Sequence, residues 1–297
     1  MGRMELFPFP AQDDMDSWRS MVAEREQMMR SFLSEAFERL PVRSETLAVD
    51  GITVYVLTPE GIEPDDPRVY LDIHGGALIT GSGESCRAMG AMVAIRYQMP
   101  TWSVDYRMPP DHPYPAALDD CIGVYRRLLR EHRPEQLAVG GSSAGGNLAA
   151  ALVLRARDEG LPMPAATVLS SPEADLTESG DSFRSNLGVD TVLTESLMPA
   201  NLLYAGGYDL EDPLLSPLFA DFSRGFPPTF LSTGTRDLFL SNTVRLHRAL
   251  RNAGIPAELH VMEAGPHGGF FGSSPEDAEI GREAQRFIHE YCRVGGG

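Results

Sequence analysis

"LAVGGSSAGGNLAAAL", residues 137–152, joins a strand-like run to a helix-like one through a corner of glycine and serine. "LAVGG" is short and apolar, and "AGGNLAAALVLRA" has the composition of a helix, so both serines fall on a strand-to-helix turn. The pattern Gly-x-Ser-x-Gly needs a glycine two residues before its serine and two after. Gly141, Ser143 and Gly145 satisfy it, whereas centring on Ser142 puts Ala144 where the second glycine belongs. Such a corner holds its serine in a strained conformation at a strand end, with small neighbours that leave it uncrowded. The new helix also points its free amides at negative charge developing beside the serine. Ser143 is therefore the candidate nucleophile.

Outward from this corner the chain alternates. Short apolar runs at 69–74, 101–106, 137–142, 166–171, 229–233 and 258–263 are separated by helical segments near 85–97, 116–131, 144–157, 240–253 and 276–292. That alternation predicts an α/β fold with a mostly parallel central sheet covered by helices on both faces. Ahead of it, "ETLAVD" and "ITVYVLTP" flank Asp50-Gly51, a dipeptide suited to a two-residue hairpin, which predicts an antiparallel edge. Residues 14–40 carry helical spacing at Met21, Met28, Phe32, Leu33, Ala36 and Leu40, as one or two amphipathic helices lying on something else. Between about 174 and 225 the alternation breaks into helix and loop without a convincing strand, which reads as an insertion over the strand ends.

Composition narrows the chemistry. A chain of 297 residues with 42% hydrophobic and 23% charged residues suits one large core, and no apolar run reaches membrane length. A net charge of −17 repels a phosphate backbone, so neither nucleic acid nor an anionic membrane surface is an expected partner. All 25 basic residues are arginine, which excludes a lysine phosphate loop, a protein-kinase site and a lysine Schiff base. Cys86, Cys121 and Cys292 are far apart and odd in number, arguing against a disulfide framework or a metal knuckle. With no signal-peptide pattern at the start, a cytoplasmic location is the expectation, with no stable membrane insertion.

A serine hydroxyl needs a base to take its proton and an acid to orient that base. His267, in "EAGPHGGFF", follows the last strand-like run in a glycine-flanked loop, where catalytic groups of parallel sheets collect. His247 and His260 sit within a helix and a strand, His132 and His289 read as helix surface, and His74 reads as a loop brace. For the acid, Asp237 in "FLSTGTRDLFL" comes just after a strand, while Asp209 and Asp212 lie in the presumed insertion. "DIHGGALITGS" also follows a strand, and its Gly75 and Gly76 leave backbone amides unobstructed. Together with the amide of Ala144 they are candidate donors to an oxyanion. Tyr106 and the segment 107–115, His112 included, are expected to brace this loop. Phe7, Phe9, Trp18, Met28 and Met29 are read as core or lid packing, with the lining of an acyl pocket as the rival role.

Taken together, "HGGA", "DYRMPPDHPYPAALDD", "GGSSAGGN", "GTRD" and "PHGGF" resemble the hormone-sensitive-lipase family of α/β-hydrolases, the bacterial carboxylesterases, from about residue 68 to the C-terminus. The later segments are similar to proteins labelled monoterpene ε-lactone hydrolases. The resemblance implies an α/β-hydrolase fold with a helical cap, made of residues 1–40 and an insertion at about 174–225 in a domain spanning 41–297. It implies Ser143 as nucleophile, His267 as base, Asp237 as acid, and the amides of Gly75, Gly76 and Ala144 as the oxyanion hole. The expected reaction is hydrolysis of small or medium acyl esters or lactones through an acyl-enzyme, with no cofactor and no metal. The expected partner is that small molecule, with a homodimer also allowed. Two alternatives share the fold: an amide hydrolase on the same triad, such as a formamidase or deacetylase, and a non-catalytic ligand-binding module. Three positions depart from the family: Ala77 replaces a third glycine, Ser142 stands where Asp or Thr is usual, and Glu173 stands where an aromatic residue is common. Glu173 is expected to be a solvated loop residue, with a carboxylate near the pocket that favours a polar or cationic substrate as the rival role.

Overall fold

A computed structural model describes residues 9–37, 40–62, 66–270 and 272–293. An N-terminal helix α1 (Met15–Phe37) precedes the hairpin β1 (Val42–Val49) and β2 (Ile52–Pro59). Asp50 and Gly51 both take positive φ, 49° and 88°, as a two-residue turn between twisted strands requires. The alternation then follows in full: β3 (Val69–Ile73), α2 (Glu84–Tyr97), β4 (Thr101–Asp105), α3 (Ala116–Glu131), β5 (Leu137–Ser142), α4 (Ala144–Asp158) and β6 (Ala166–Ser170). After it come the short helices α5 (Ser182–Ser185) and α6 (Met198–Ala205), then β7 (Thr229–Gly234), α7 (Leu240–Asn252), β8 (Ala257–Met262) and α8 (Pro275–Tyr291).

Eight strands form one sheet in the order β1-β2-β4-β3-β5-β6-β7-β8. β2 runs antiparallel to both neighbours, and from β4 onward every pairing is parallel. The central strands β3 and β5 are buried over nearly their whole length, as a sheet covered on two faces demands. Leu128, Leu148, Leu152 and Leu246 of α3, α4 and α7 pack in the larger core with Leu71, Ile73 and Val139. On the opposite face Tyr97 of α2 and Phe287 and Ile288 of α8 pack on Tyr70, Val168 and Phe230. The chain leaves β3 toward one edge and returns through β5 toward the other. The loops after these adjacent strands therefore open side by side at their carboxyl ends, where the register pairs Ile73 with Gly141.

The buried face of α1 differs from the one its hydropathy suggests. Trp18, Met21 and Leu33 are buried, but Met28 and Phe32 are exposed, and Glu26 takes an inward position at 8% exposure. Trp18 and Met21 pack with Ile79 of the loop after β3 and with Ala200 and Leu203 of α6. Phe9 packs against the same cluster, whereas Phe7 lies outside the described residues. Among the described residues no helix is long and apolar enough to cross a membrane.

Candidate active site

Ser143 sits between β5 and α4 with φ 59° and ψ −124°, outside the regions that non-glycine residues favour. The corner is held from several sides: the Ser143 amide donates to the Ser170 carbonyl at 2.9 Å, and its carbonyl accepts from Asn147 and Glu173 amides at 3.2 Å. Glycine is obligatory on both flanks. A Cβ at Gly145 would lie 1.9 Å from the Ile73 carbonyl oxygen, and one at Gly141 2.4 Å from the same atom.

The three separated residues meet here. His267 Nε2 lies 2.9 Å from Ser143 Oγ, and His267 Nδ1 lies 3.0 Å from Asp237 Oδ1. Because the Asp237 oxygen only accepts, Nδ1 carries the proton and Nε2 presents a lone pair to the serine hydroxyl. Asp237 is fully buried and also accepts from Thr233 Oγ1 at 2.7 Å and the Phe239 amide at 2.8 Å. Burial alone pushes its carboxyl up, but electrostatic attraction to His267 and hydrogen bonds from His267, Ser171 and Phe239 outweigh that and lower it. Asp237 is thus an acid held ionised against the His267 imidazole, which is 6% exposed.

Facing Ser143 is the loop after β3. A Cβ on Gly75 would come within 3.3 Å of Ser143 Cβ and 2.8 Å of the Ser142 carbonyl, so only glycine permits this approach. Gly76 has φ 131°, and a Cβ there would lie 2.0 Å from the Thr80 carbonyl oxygen. The amides of Gly75, Gly76 and Ala144 have no hydrogen-bond acceptor among the described residues. Tyr106 braces the loop as expected, donating from its hydroxyl to the His74 carbonyl at 2.8 Å and stacking on the His74 ring. His74 donates from Nδ1 to the Gly75 carbonyl at 2.8 Å, and burial lowers its pKa to about 4, so it stays neutral near pH 7. His112, by contrast, is exposed and its ring makes no brace. Asp209 and Asp212 cap turns by accepting from the amides of Glu211 and Leu214.

The two adjacent serines diverge. Ser142 is exposed and lines a cleft of about 60 Å³ of mixed character, with Ser170, Ser232, Arg96 and Asp277 beside Phe230 and Met262. It pairs in register with Ser170, which pairs with Ser232, giving a row of hydroxyls on the α2/α8 face of the sheet. Glu173 departs from its expected place: it is fully buried, and among the described residues Asn201 is the polar side chain that faces its carboxyl, outside normal hydrogen-bond geometry. Burial pushes its pKa up to about 8, with Asn201 opposing and Glu178 and Asp175 adding to the rise, so the group is mostly protonated at neutral pH. The physical reason is local. Its amide is drawn into the elbow by Ser143, and Asn147 Nδ2 donates to its carbonyl at 2.7 Å, carrying the side chain inward beneath α6.

Some supporting residues carry no sequence signal. Asp190, in the helical insertion, is 1% exposed and accepts from the amides of Val192, Leu238 and His267 at 2.9, 2.9 and 3.3 Å. One carboxylate thereby ties the segment between α5 and α6 to the loops that carry Asp237 and His267. Nothing in "NLGVDTVL" marks it beyond a local turn, because the partners that give it its tie, the amides of Leu238 and His267, are remote in sequence. Two described clusters bring metal-capable groups together, His74 with Cys86 and Asp105, and Glu258 with His260 and Glu283. In the first, Asp105 accepts from the Gly83 amide and Cys86 Sγ lies 3.4 Å from Ser103 Oγ. In the second, Arg286 pairs with both glutamates.

A family model described as the alpha/beta hydrolase fold matches residues 70–271, more than half of the chain. This chain is an alpha/beta hydrolase. The hydrolase is 37% identical over 197 residues to an esterase of Acinetobacter venetianus, a stretch covering 65% of each chain. It is 34% identical over 211 residues to an acetyl-hydrolase of Streptomyces hygroscopicus, covering 70% of each. A crystal structure of an esterase superposes with a TM-score of 0.89 at 37% identity, covering 97% of the hydrolase and 88% of that chain. An esterase from the bacterial hormone-sensitive lipase family superposes with a TM-score of 0.84 at 30% identity, covering 97% and 94%. The hydrolase therefore falls in the hormone-sensitive-lipase family as a carboxylesterase-like ester hydrolase, and amide cleavage is not favoured.

Proposed function

We propose that Ser143, His267 and Asp237 form the catalytic triad of this ester hydrolase, and that the amides of Gly75, Gly76 and Ala144 form its oxyanion hole. The observation that carries the reading is the unbroken chain from Ser143 Oγ through His267 to Asp237, 2.9 and 3.0 Å per link, beside amides without acceptors. His267 Nε2 takes the Ser143 proton as Oγ bonds to the ester carbonyl carbon. The carbonyl electron pair moves onto oxygen, which accepts from the waiting amides, a term worth about 3 kcal/mol per donor. On collapse the C–O bond to the alcohol breaks, and His267 returns the proton to the leaving oxygen. Water, deprotonated by the same nitrogen, then cleaves the acyl-enzyme to free acid and Ser143.

In this reading α1 and the insertion at about 174–225 act as a cap. The packing of Trp18 and Met21 against Ala200 and Leu203 supports it, since both parts meet over the loop that carries Gly75. The substrates are small or medium acyl esters, with lactones included because ring opening needs the same proton transfers. A cytoplasmic setting accords with three buried, unpaired cysteines. Matched ester, lactone and amide substrates test the reaction, with p-nitrophenyl acetate and butyrate as the first pair. Turnover of an ester or lactone far above the amide is expected, and lost on Ser143→Ala. A folded protein that cleaves none of the esters would overturn the reading.

A further inference from the structure

The loop that carries Gly75 and Gly76 is strained. Between His74 and Gly83 the left-handed region is occupied at Gly76, Ala77, Leu78, Gly81 and Gly83. Conformations of this kind persist only where surrounding contacts over-determine them. Within the loop, the Ile79 and Thr80 amides donate to the Gly76 carbonyl at 3.1 and 3.0 Å, and Thr80 Oγ1 donates to the same oxygen at 2.9 Å. From the sheet, Tyr106 holds the His74 carbonyl, and Asp105 accepts from the Gly83 amide at 3.0 Å.

The middle of the loop's return is held by something else. Glu26, on α1, accepts at Oε1 from the Gly81 amide at 2.6 Å, the Ser82 amide at 2.9 Å and Ser82 Oγ at 3.1 Å. It is 8% exposed and 55 residues distant from Gly81 in sequence. Gly81 in turn lies directly against the segment that carries the oxyanion donors: a Cβ on it would meet the Gly75 carbonyl oxygen and His74 Nδ1, each at 2.6 Å. A displaced Gly81 therefore presses on the Gly75–Gly76 peptide, whose amide is one of the proposed oxyanion donors. Ile79 of the same loop packs on Trp18 and Met21, so α1 grips the loop by an apolar contact and a polar one.

We propose that Glu26 is a positioning residue that latches the oxyanion loop to the N-terminal helix, so that the helix sets catalytic competence as well as access. This rests on the reading of Gly75 and Gly76 as oxyanion donors to Ser143. What the latch requires is an acceptor oxygen at a fixed distance, not a charge. Glutamine keeps that oxygen in place, aspartate keeps the charge but withdraws it by one methylene, and alanine removes it.

The test compares Glu26→Gln, Glu26→Asp and Glu26→Ala in the full chain. The readouts are kcat and KM on p-nitrophenyl butyrate and inhibition by a trifluoromethyl ketone, whose adduct with serine places an oxyanion in the hole. Thermal unfolding reports the folded fraction. Expected is a kcat for Glu26→Gln within about threefold of wild type, and a loss of about 10- to 100-fold for Asp and Ala with KM little changed. Ketone affinity should fall by the same factor as kcat/KM. If Glu26→Ala does not fold, the contrast between Asp and Gln decides. The latch is overturned if folded Asp and Ala variants keep wild-type kcat, if Gln is impaired as much as Asp, or if only KM changes. An inactive wild type, or Ser143→Ala with full activity, would instead sink the triad reading on which the latch depends.

Discussion

At the residue scale, Glu173 shows how far local bonding overrides side-chain polarity. A carboxyl is among the last groups to be buried unpaired, and from sequence a loop glutamate belongs in solvent. Here the elbow claims its backbone, and the side chain follows it into the interior as a protonated acid. An acid whose folded pKa lies above its unfolded value weakens the fold as pH rises. Below the ordinary value of 4.5 both states hold the proton, between 4.5 and about 8 only the folded state does, and above that neither does. Stability attributable to this group thus falls by about 1.4 kcal/mol per pH unit inside that window and levels off beyond it. Glu173→Gln, which keeps the shape without the titration, is expected to raise the melting temperature more at pH 8 than at pH 5. An equal difference at both pH values would contradict the burial argument.

At the scale of elements, what was legible in the sequence is what periodicity and turn chemistry encode. The parallel strands, the Asp50-Gly51 hairpin and the corner at Ser143 all stand at their expected places, because each depends on neighbours a few residues away. Glu26 and Asp190 were hidden for the opposite reason: each is buried by amides that the fold brings from elsewhere, and hydropathy scores them as surface. The face of α1 departs from its apolar spacing on the same ground, with Met28 and Phe32 exposed and Glu26 buried. The elbow itself offers a sharp contrast between glycines. Gly145→Ala would drive a Cβ into the backbone of β3, while Gly123, inside α3, has nothing within 4 Å of an added Cβ. Denaturant unfolding should show Gly145→Ala strongly destabilised with esterase activity lost, and Gly123→Ala stabilised by about 0.5 to 1 kcal/mol. A Gly145→Ala protein with native stability would mean that the corner has slack the geometry denies.

At the scale of the whole molecule, the proposed triad is assembled from three strand ends, and the loops that carry it are bound to α1 and to the segment between β6 and β7. Asp190 joins the segment between α5 and α6 to the loops of Asp237 and His267, and Glu26 joins α1 to the loop opposite Ser143. The order Ser143, Asp237, His267 was readable because parallel strands deliver their loops to one edge, but these outer ties were not. Everything converges on one of two adjacent serines. Ser143 faces His267, and Ser142 faces a cleft on the α2/α8 side, so a reagent that reacts only with an activated hydroxyl must separate them. A fluorophosphonate probe followed by peptide mass spectrometry makes that measurement on the native protein. The expected result is a single modification on Ser143, abolished by Ser143→Ala and unchanged by Ser142→Ala, which also keeps most esterase activity. Labelling of Ser142, or of any other serine in a protein that still cleaves esters, would contradict the assignment.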